Sequence, residues 1–269
     1  MMCFHPRKGP SLGARGWSDG QCRQLQNMGF TMLSDVYHLV TVNDGKSDAA
    51  AIAKVFSEMA TGRLKCDLKL LNYYDEVPVC YGSTITSVEI DCIELAVHEH
   101  QALVMKHDKS TLIKSKHFHN EFGVHCYATY VNVSKKTVIL HNFTYAQIRA
   151  ERREAVRVKV HGTLPVKFSY DNVNMEGSIV NISGNGISII SNLAPATNSG
   201  QSGFLVFTIA GTSLAVPASF IRSFPNGNEG HIYKFQMTPD RKSDSIIGKF
   251  IYQRQVEIVQ ELKEGLLPE

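Results

Sequence analysis

The chain has 269 residues, of which 43% are hydrophobic and 20% are charged, and its formal net charge is +3. This composition is ordinary for a globular protein with a buried core, and the length predicts one large or two modest domains. The small positive charge favours anionic partners weakly and does not by itself indicate nucleic-acid binding. No apolar run is long enough to span a bilayer, so we expect no membrane insertion.

The number and spacing of the cysteines indicate the cellular compartment of the protein. None of the cysteines forms a C-x-x-C pair and the second half of the chain has none, which is unlike a secreted disulfide scaffold. We therefore expect reduced thiols and a cytoplasmic protein. Residues 1–33 have three arginines and lysines near their start without an apolar core behind them, so they are predicted to be a disordered tail and not a secretory signal. The cysteines are Cys3, Cys22, Cys66, Cys80, Cys92 and Cys126.

The first half of the chain is predicted to contain one helix followed by strands. Apolar residues at helical spacing from Ile52 to Met59 predict a helix over residues 47–61, with Ser47 as its N-cap and Gly62 at its end. Short alternating or β-rich runs without helices between them then predict an antiparallel sheet or barrel. These runs cover residues 64–70, 84–90, 102–105, 111–115, 124–133 and 137–141.

A polar, arginine-rich segment at residues 146–157 is predicted to be an interdomain linker. Strand signals resume after it, separated by Gly, Pro and Asn, and predict a small antiparallel barrel. The predicted strands cover residues 156–160, 164–170, 178–182, 187–191, 204–209, 214–223 and 232–237. A final helix is predicted over 243–263, with Ser243 as N-cap. Its predicted apolar face consists of Ile246, Ile247, Phe250 and Ile251, extended by Val256, Val259 and Leu262.

Two short motifs of the second half belong together. Arg153 and Arg157 form an R-x-x-x-R pattern, with Arg152 in front of it. About one hairpin later, residues 181–186 read N-I-S-G-N-G, which is the pattern [D/N]-x-S-x-x-G. Either pattern alone is also typical of a charged linker or a polar turn. Both in this order, at a domain boundary and separated by a strand, form a specific combination.

These motifs resemble those of the PilZ domain, and the resemblance covers residues 151–269. It implies a β-barrel with a C-terminal helix and a receptor for cyclic-di-GMP. Arg153 and Arg157 would be the motif arginines of a mobile arm, and Arg152 a further contact. In the second motif, Asn181 would offer an amide to a guanine edge and Ser183 a hydroxyl. Gly186 would permit a tight turn and close approach of the ligand.

Residues 34–145 resemble the N-terminal domain of YcgR-like PilZ proteins through their helix-then-strand order and the arginine-rich junction. The chain is therefore predicted to be mainly β, with two small antiparallel β-barrel-like domains, a helix near the start of the first and a C-terminal helix after the second. The resemblance implies that ligand binding rearranges the domains and controls a protein partner, in motility, surface attachment or biofilm formation. Flagellar or pilus machinery is the candidate partner, and the oligomeric state is monomer or dimer.

Three other functions remain open. A cyclic-di-GMP-responsive DNA-binding regulator is one, although no helix-turn-helix is evident and the charge is only mildly basic. A PilZ-like adaptor that binds protein without ligand is another, although both motifs are complete. An enzyme would require a site for which no residues can be named, so no catalytic residues and no cofactor are predicted.

The first half of the chain contains histidines at spacings that could suit a metal site. His98 and His100 are two positions apart, as are His117 and His119, and on strands such pairs would share a face. Because no H-E-x-x-H or C-x-x-C accompanies them, exposed turn histidines are the preferred interpretation, and no metal site is predicted.

Overall fold

The computed structural model describes residues 36–148, 155–171, 173–192, 199–227 and 230–264. These residues form a mainly β structure of two antiparallel sheets, with a helix near the start and a helix at the C-terminal end. The predicted fold class is therefore confirmed. The tail predicted at residues 1–33 lies outside the described part of the chain. None of the helices within that part is long and apolar enough to cross a membrane.

The first sheet is a curled half-barrel with the strand order β3-β2-β6-β7-β8-β5-β4, and β1 pairs with β8. Its strands are β1 Tyr37–Leu39, β2 Lys69–Tyr74, β3 Val77–Gly82, β4 Thr84–Val88, β5 Cys92–Ala96, β6 Ser110–Lys114, β7 Gly123–Asn132 and β8 Thr137–Ile148. A 3₁₀ turn at His119–Glu121 precedes β7. Burial alternates along β3 and β5, as the period of a half-buried strand requires, whereas β2, β6 and β7 have three or four consecutive buried residues.

Helix α1, Gly45–Ala60, covers one face of this sheet with Ile52, Phe56 and Met59 buried. Its N-cap is Asp44 and not the predicted Ser47, because the Asp44 carboxylate accepts hydrogen bonds from the backbone N–H groups of Lys46 and Ser47. The helix therefore begins one turn earlier than predicted. Its predicted end is confirmed, since Gly62 follows the cap with a left-handed φ of 74°.

The strand predicted over residues 102–105 is wrong, because these residues lie in helix α2, Glu99–His107. Ala102, Val104 and Met105 are fully buried, and a short buried apolar run does not by itself distinguish a helix from a strand. Strands β1, β3 and β5 were not predicted. In β3, Pro78 lowered the strand signal, and proline is tolerated there because β3 is an edge strand. The strand predicted over residues 64–70 overlaps β2 only at residues 69–70, because residues 64–68 precede β2.

The second sheet closes into a six-stranded barrel. Its order is β10-β13-β14-β15-β12-β11, the pairing of β10 with β11 closes the ring, and β9 pairs with β11 outside it. The strands are β9 Arg157–Lys159, β10 Pro165–Tyr170, β11 Val173–Ser183, β12 Gly186–Ser191, β13 Ser202–Ile209, β14 Thr212–Pro225 and β15 His231–Met237. All seven were predicted from the sequence, with ends that differ by a few residues.

Helix α3, Arg241–Glu264, follows the barrel. Ser243 is not its N-cap, because the Ser243 N–H donates to the Asp240 carboxylate at 2.7 Å, one turn earlier. The predicted apolar face is partly wrong, since Val256 and Val259 are 50% and 41% exposed. The buried stripe advances by three or four residues at each step and includes one charged residue. It consists of Ile247, Ile251, Arg254, Ile258 and Leu262.

The first half of the chain has a core of its own, and four of its residues also pack into the core of the barrel. Tyr74, Val77, Val79 and Val104 of the first half belong to the same buried cluster as the barrel interior. The segment predicted as linker overlaps both sheets at its ends, because residues 146–148 lie in β8 and Arg157 begins β9. The barrel is thus held against the edge of the first sheet that carries the turn between β2 and β3.

Candidate ligand site at the junction of the two sheets

Strand pairing brings three of the predicted ligand residues together. Across the ladder, Ser183 at the end of β11 is opposite Arg157 of β9 on one side and Gly186 of β12 on the other. Asn181 lies two residues earlier on β11, so its side chain is on the same face as that of Ser183. Arg152 and Arg153 lie outside the described residues, so the structure does not test their predicted positions.

The Asn181 and Ser183 side chains are buried, being 6% and 2% exposed. The Ser183 Oγ lies 3.1 Å from the carbonyl oxygen of Gly186 and 3.3 Å from the side-chain oxygen of Asn185, and its proton bridges the turn to either acceptor. The Asn181 Oδ1 accepts no hydrogen bond within the described residues. A buried amide oxygen without a donor is costly, and a ligand N–H at this position would satisfy it.

Gly186 contributes space and not an unusual backbone conformation. The positive φ angles found at other glycines, such as 74° at Gly162, do not occur at Gly184 or Gly186. A Cβ at Gly186 would lie 3.4 Å from the Phe235 carbonyl oxygen and from the Ser183 Oγ. The turn is short, because Ser183 pairs with Gly186 across it, and a Cβ would make ordinary van der Waals contacts there, so the predicted close approach of a ligand to Gly186 stays a prediction.

The turn between β2 and β3 projects from the first sheet onto this motif. Its central residues, Asp75 and Glu76, have φ angles of 49° and 71°, and Tyr74 pairs directly with Val77, so the hairpin has a two-residue turn of the mirror-image type. The Glu76 carboxylate accepts a hydrogen bond from the Asn181 amide at 3.4 Å. The first half of the chain therefore contacts a residue of the second motif directly.

Asp75 anchors the same turn to the barrel and to α3. Its carbonyl oxygen accepts from the backbone N–H of Lys159 at 3.0 Å, and its carboxylate lies 3.6 Å from the Lys159 Nζ. The carboxylate also pairs with the His161 imidazole and lies 3.4 Å from the guanidinium of Arg254. Arg254 is 7% exposed and also donates to Glu257 and Glu261 at 3.0 Å each. These contacts fix the turn beside the motif.

A crevice of about 210 Å³ lies between the two sheets at this point. Asn181 and Lys159 line it from the barrel side, and Glu76 and Asp108 are among the residues that line it from the first sheet. Burial raises the pKa of the Asp108 carboxyl, opposed by a hydrogen bond from the Ser110 N–H. Carboxylates on one wall and a buried amide on the other make the crevice rich in hydrogen-bond acceptors.

The sequence did not point to Asp75, Glu76, Lys159, His161 or Arg254. No Asn-Gly or Asp-Gly pair marks the turn between β2 and β3, so the hairpin carried no local signal. Arg254 stands within an otherwise polar stretch of helix and resembles a solvated charge. Arg254 lies three residues after Ile251 and four before Ile258, so helical spacing places it on the buried face of α3. This spacing is the sequence signal for its burial.

The histidines of the first half do not form a metal site within the described residues. His98 and His100 are not on a strand, because His98 is the N-cap of α2 and its Nδ1 accepts from the His100 N–H at 3.2 Å. The His98 ring stacks on Tyr81 with 3.9 Å between centroids. His119 lies in the 3₁₀ turn before β7, apart from this pair in the chain.

Comparison with known proteins identifies the barrel. Residues 151–253 match the family model of the PilZ domain, whereas no curated protein matches the chain. Among solved structures, the K. pneumonia MrkH–c-di-GMP complex is 10% identical, with 84% of this chain and 99% of that chain covered and a TM-score of 0.42. YcgR of Escherichia coli in complex with c-di-GMP is 11% identical, with coverages of 81% and 94% and a TM-score of 0.38.

A third solved structure, the Bacillus subtilis inhibitor of motility MotI/DgrA, is 16% identical, with coverages of 71% and 96% and a TM-score of 0.38. The identification of the barrel rests on the family match, whose bounds contain both motifs. The domain extends from Glu151, at the start of the arginine-rich motif, into α3. Residues 151–253 are a PilZ domain, as the paired motifs predicted.

Proposed function

We propose that this protein is a receptor for cyclic-di-GMP that binds the dinucleotide without chemical change. The observation that carries the proposal is the pairing of Arg157, Ser183 and Gly186 across three neighbouring strands of a PilZ domain. Residues far apart in the sequence are thereby concentrated at one edge of the barrel. Asn181 completes the group from the same face of β11.

The chemistry of the ligand suits these residues. A guanidinium is planar and permanently charged, so it can bind a phosphate through two hydrogen bonds or a guanine through O6 and N7. Arg157 belongs to the proposed site, and we propose that Arg152 and Arg153 join it from the preceding segment. Asn181 offers an amide to a base edge, and Ser183 supports the turn at which the ligand approaches Gly186.

The output follows from the position of the site. The turn at Asp75 and Glu76 connects the motif to the first sheet, so a ligand at the motif changes the contacts between the two halves. We propose that the bound ligand favours one of two arrangements of the domains, which shifts the populations of the two arrangements. The favoured arrangement would expose or hide a surface for a protein partner. Control of motility or of surface attachment, in the cytoplasm, is the proposed role.

Titration calorimetry of the full chain with cyclic-di-GMP tests the proposal. Wild-type protein is expected to bind with micromolar or tighter affinity. Arg153→Ala and Arg157→Ala should each weaken binding about tenfold to a hundredfold, because each removes a charge-assisted contact to the ligand. Arg63→Ala, an exposed arginine after α1, is the matched control and should bind like the wild type.

The result that would reject the receptor is a folded wild-type sample that gives neither heat nor thermal stabilisation with cyclic-di-GMP. The PilZ domain would then act as a ligand-free adaptor for another protein. Turnover of the dinucleotide during long incubation would contradict binding without chemistry. A steeply salt-dependent affinity for duplex DNA that requires the dinucleotide would assign the output to DNA binding.

A further inference from the structure

Helix α3 has a second apolar stripe, on the side that faces away from the rest of the described chain. Tyr252, Val256 and Val259 are 69%, 50% and 41% exposed. Their spacing of four and then three residues places them on one face of the helix, about 130° around its axis from the centre of the buried stripe. The same spacing is typical of a seam along which two helices pack.

Gly248 extends this stripe by one turn toward the start of the helix. Glycine in a helix interior costs stability relative to alanine. Packing within the described residues does not require it, because a Cβ at Gly248 would meet no atom within 4 Å. A glycine on an outer helix face is favourable where a second backbone approaches closely. The outer stripe of α3, consisting of Gly248, Tyr252, Val256 and Val259, therefore has the composition of a helix–helix contact.

The charges along one flank of the outer stripe match those of a second, reversed copy of the helix. Lys242 and Lys249 lie on this flank in the first half of α3, and Glu257 and Glu264 lie on it in the second half. In two antiparallel helices related by a two-fold axis, this flank of one copy faces the same flank of the other. With the axis near residue 253, Lys242 is opposite Glu264 of the second copy and Lys249 is opposite Glu257.

The outer stripe pairs in the same register. An axis within one residue of that position places Tyr252 opposite Val256 of the second copy and Gly248 opposite Val259, so that the largest side chain meets a β-branched one and the glycine leaves room for the other. An antiparallel pair also brings opposite ends of the two helix dipoles together. A parallel pair would instead place each lysine and each glutamate of the flank beside its own copy, where like charges repel.

We propose that α3 is a dimerisation surface, on which two copies of this chain pair through antiparallel helices along the outer stripe. Within its own chain, the Glu257 carboxylate also accepts from Arg254 at 3.0 Å, but its side chain is 47% exposed and remains accessible to a lysine of the second copy. The seam ends in polar residues, because Ser245 is opposite Lys263 in this register.

The length of α3 determines how strong this contact is. Its 24 residues form a helix about 36 Å long. One pair of such helices buries less area than the roughly 1,600 Å² of a standard protein interface. We therefore expect a reversible dimer with a dissociation constant in the micromolar range. Exposed ion pairs contribute little each, so the apolar stripe provides the affinity and the charges select the antiparallel direction.

Sedimentation velocity of the full chain without added ligand, from about 1 µM to about 200 µM, tests the dimer. Wild type should change from monomer to dimer across this range. Val256→Glu places a carboxylate opposite Tyr252 in the middle of the seam, so the dissociation constant should rise at least about a hundredfold. Ile221→Glu makes the same kind of change at a position of β14 that is 46% exposed, and this control should dimerise like the wild type.

Both glutamate variants should unfold at the wild-type temperature in dilute solution, because both positions are exposed in the monomer. This measurement separates loss of the dimer from loss of the fold. A wild type that is monomeric over the whole concentration range would reject the dimer. A dimer of unchanged strength in Val256→Glu would place the contact on another surface and would equally reject the proposal.

A charge reversal tests the direction of the pair. Lys242→Glu alone should weaken the dimer about threefold to tenfold, because it faces Glu264 of the second copy. The double variant Lys242→Glu with Glu264→Lys should recover the wild-type dissociation constant. A double variant as weak as the single one would contradict the antiparallel register. None of these measurements uses cyclic-di-GMP, so the result is independent of whether the chain is its receptor.

Discussion

His125 is a buried imidazole of the first sheet. Its ring is 3% exposed and stacks on Tyr37 with 4.7 Å between centroids, and its Nε2 lies 3.0 Å from the Ser110 hydroxyl. Burial lowers the pKa of His125 from 6.5 to about 4. Tyr37 lines the crevice beside it, and burial raises the pKa of its phenol to about 12, opposed by a hydrogen bond with Ser110.

This burial predicts a pH dependence of stability. Below pH 6.5 the unfolded chain protonates His125 while the folded chain keeps it neutral down to about pH 4. The native state therefore loses stability as the pH falls through this window, by on the order of 3 kcal/mol in total. In His125→Phe this titration is absent, so the variant should lose less stability than wild type on acidification from pH 7.5 to pH 5.

Urea unfolding at pH 7.5 and at pH 5 measures both free energies. His38→Phe, on the exposed side of β1, controls for the substitution itself. Equal losses of stability in wild type and in His125→Phe between the two pH values would show that the His125 imidazole is not kept neutral by the fold.

At the scale of single residues, the sequence identified the second PilZ motif but not its surroundings. Asn181 and Ser183 were predicted from one short pattern, and strand pairing does place them beside Arg157 and Gly186. Glu76 is more than a hundred residues away from Asn181. No local pattern reports such a contact, because it arises from the packing of one sheet on the other.

At the scale of elements, α3 joins the barrel to the first sheet through one buried charge. Arg254 is 7% exposed, and its guanidinium contacts Asp75 of the β2–β3 turn and two glutamates of its own helix. Hydrogen bonds to Glu257 and Glu261 and the charge of Asp75 keep the pKa of this guanidinium above its usual value, although burial, the largest single influence, opposes them. The helix is thereby fixed in rotation relative to both sheets.

Arg254→Met is predicted to weaken this junction. Methionine preserves the unbranched stem, but the Asp75 carboxylate, whose side chain is 10% exposed, loses one of its cationic partners. We expect the free energy of unfolding to fall by about 2 kcal/mol, below the usual range for a fully buried pair because Lys159 and His161 still contact Asp75.

Chemical denaturation checks this value against Lys249→Met, an exposed position on the same helix that should change stability by less than about 0.5 kcal/mol. Similar small effects in both variants would mean that Arg254 does not hold α3 to the turn.

Helices and strands were predicted best where the hydrophobic pattern is regular and turn residues mark the ends. The seven strands of the second sheet were all predicted from the sequence; β13 and β14 alternate clearly in burial, and glycine, proline and asparagine separate the strands. In the first sheet, α2 was mistaken for a strand because its buried residues are consecutive, and β3 was missed because Pro78 interrupts it. Packing against the rest of the molecule determines whether these segments are helix or strand. A short apolar run is too short to show either a helical or a strand period.

At the scale of the whole molecule, the two sheets are joined by an apolar core and by a polar crevice at its edge. Tyr74 and Val77, the strand residues that flank the turn, are buried in the core of the barrel. Asp75 and Glu76 between them face Lys159 and Asn181. The same hairpin therefore holds the domains together and borders the proposed ligand site, so that occupation of the site acts on the junction directly.

Amide hydrogen exchange of the full chain, with and without saturating cyclic-di-GMP, tests this placement most directly. Binding at the junction predicts slower exchange in two segments at once: the motif at residues 181–186 and the turn at residues 74–77 of the other sheet. Ligand contacts and a more rigid junction both lower the rate of local opening. Protection of the motif without protection of the turn would place the ligand on the barrel alone, and unchanged exchange in both segments would contradict the receptor itself.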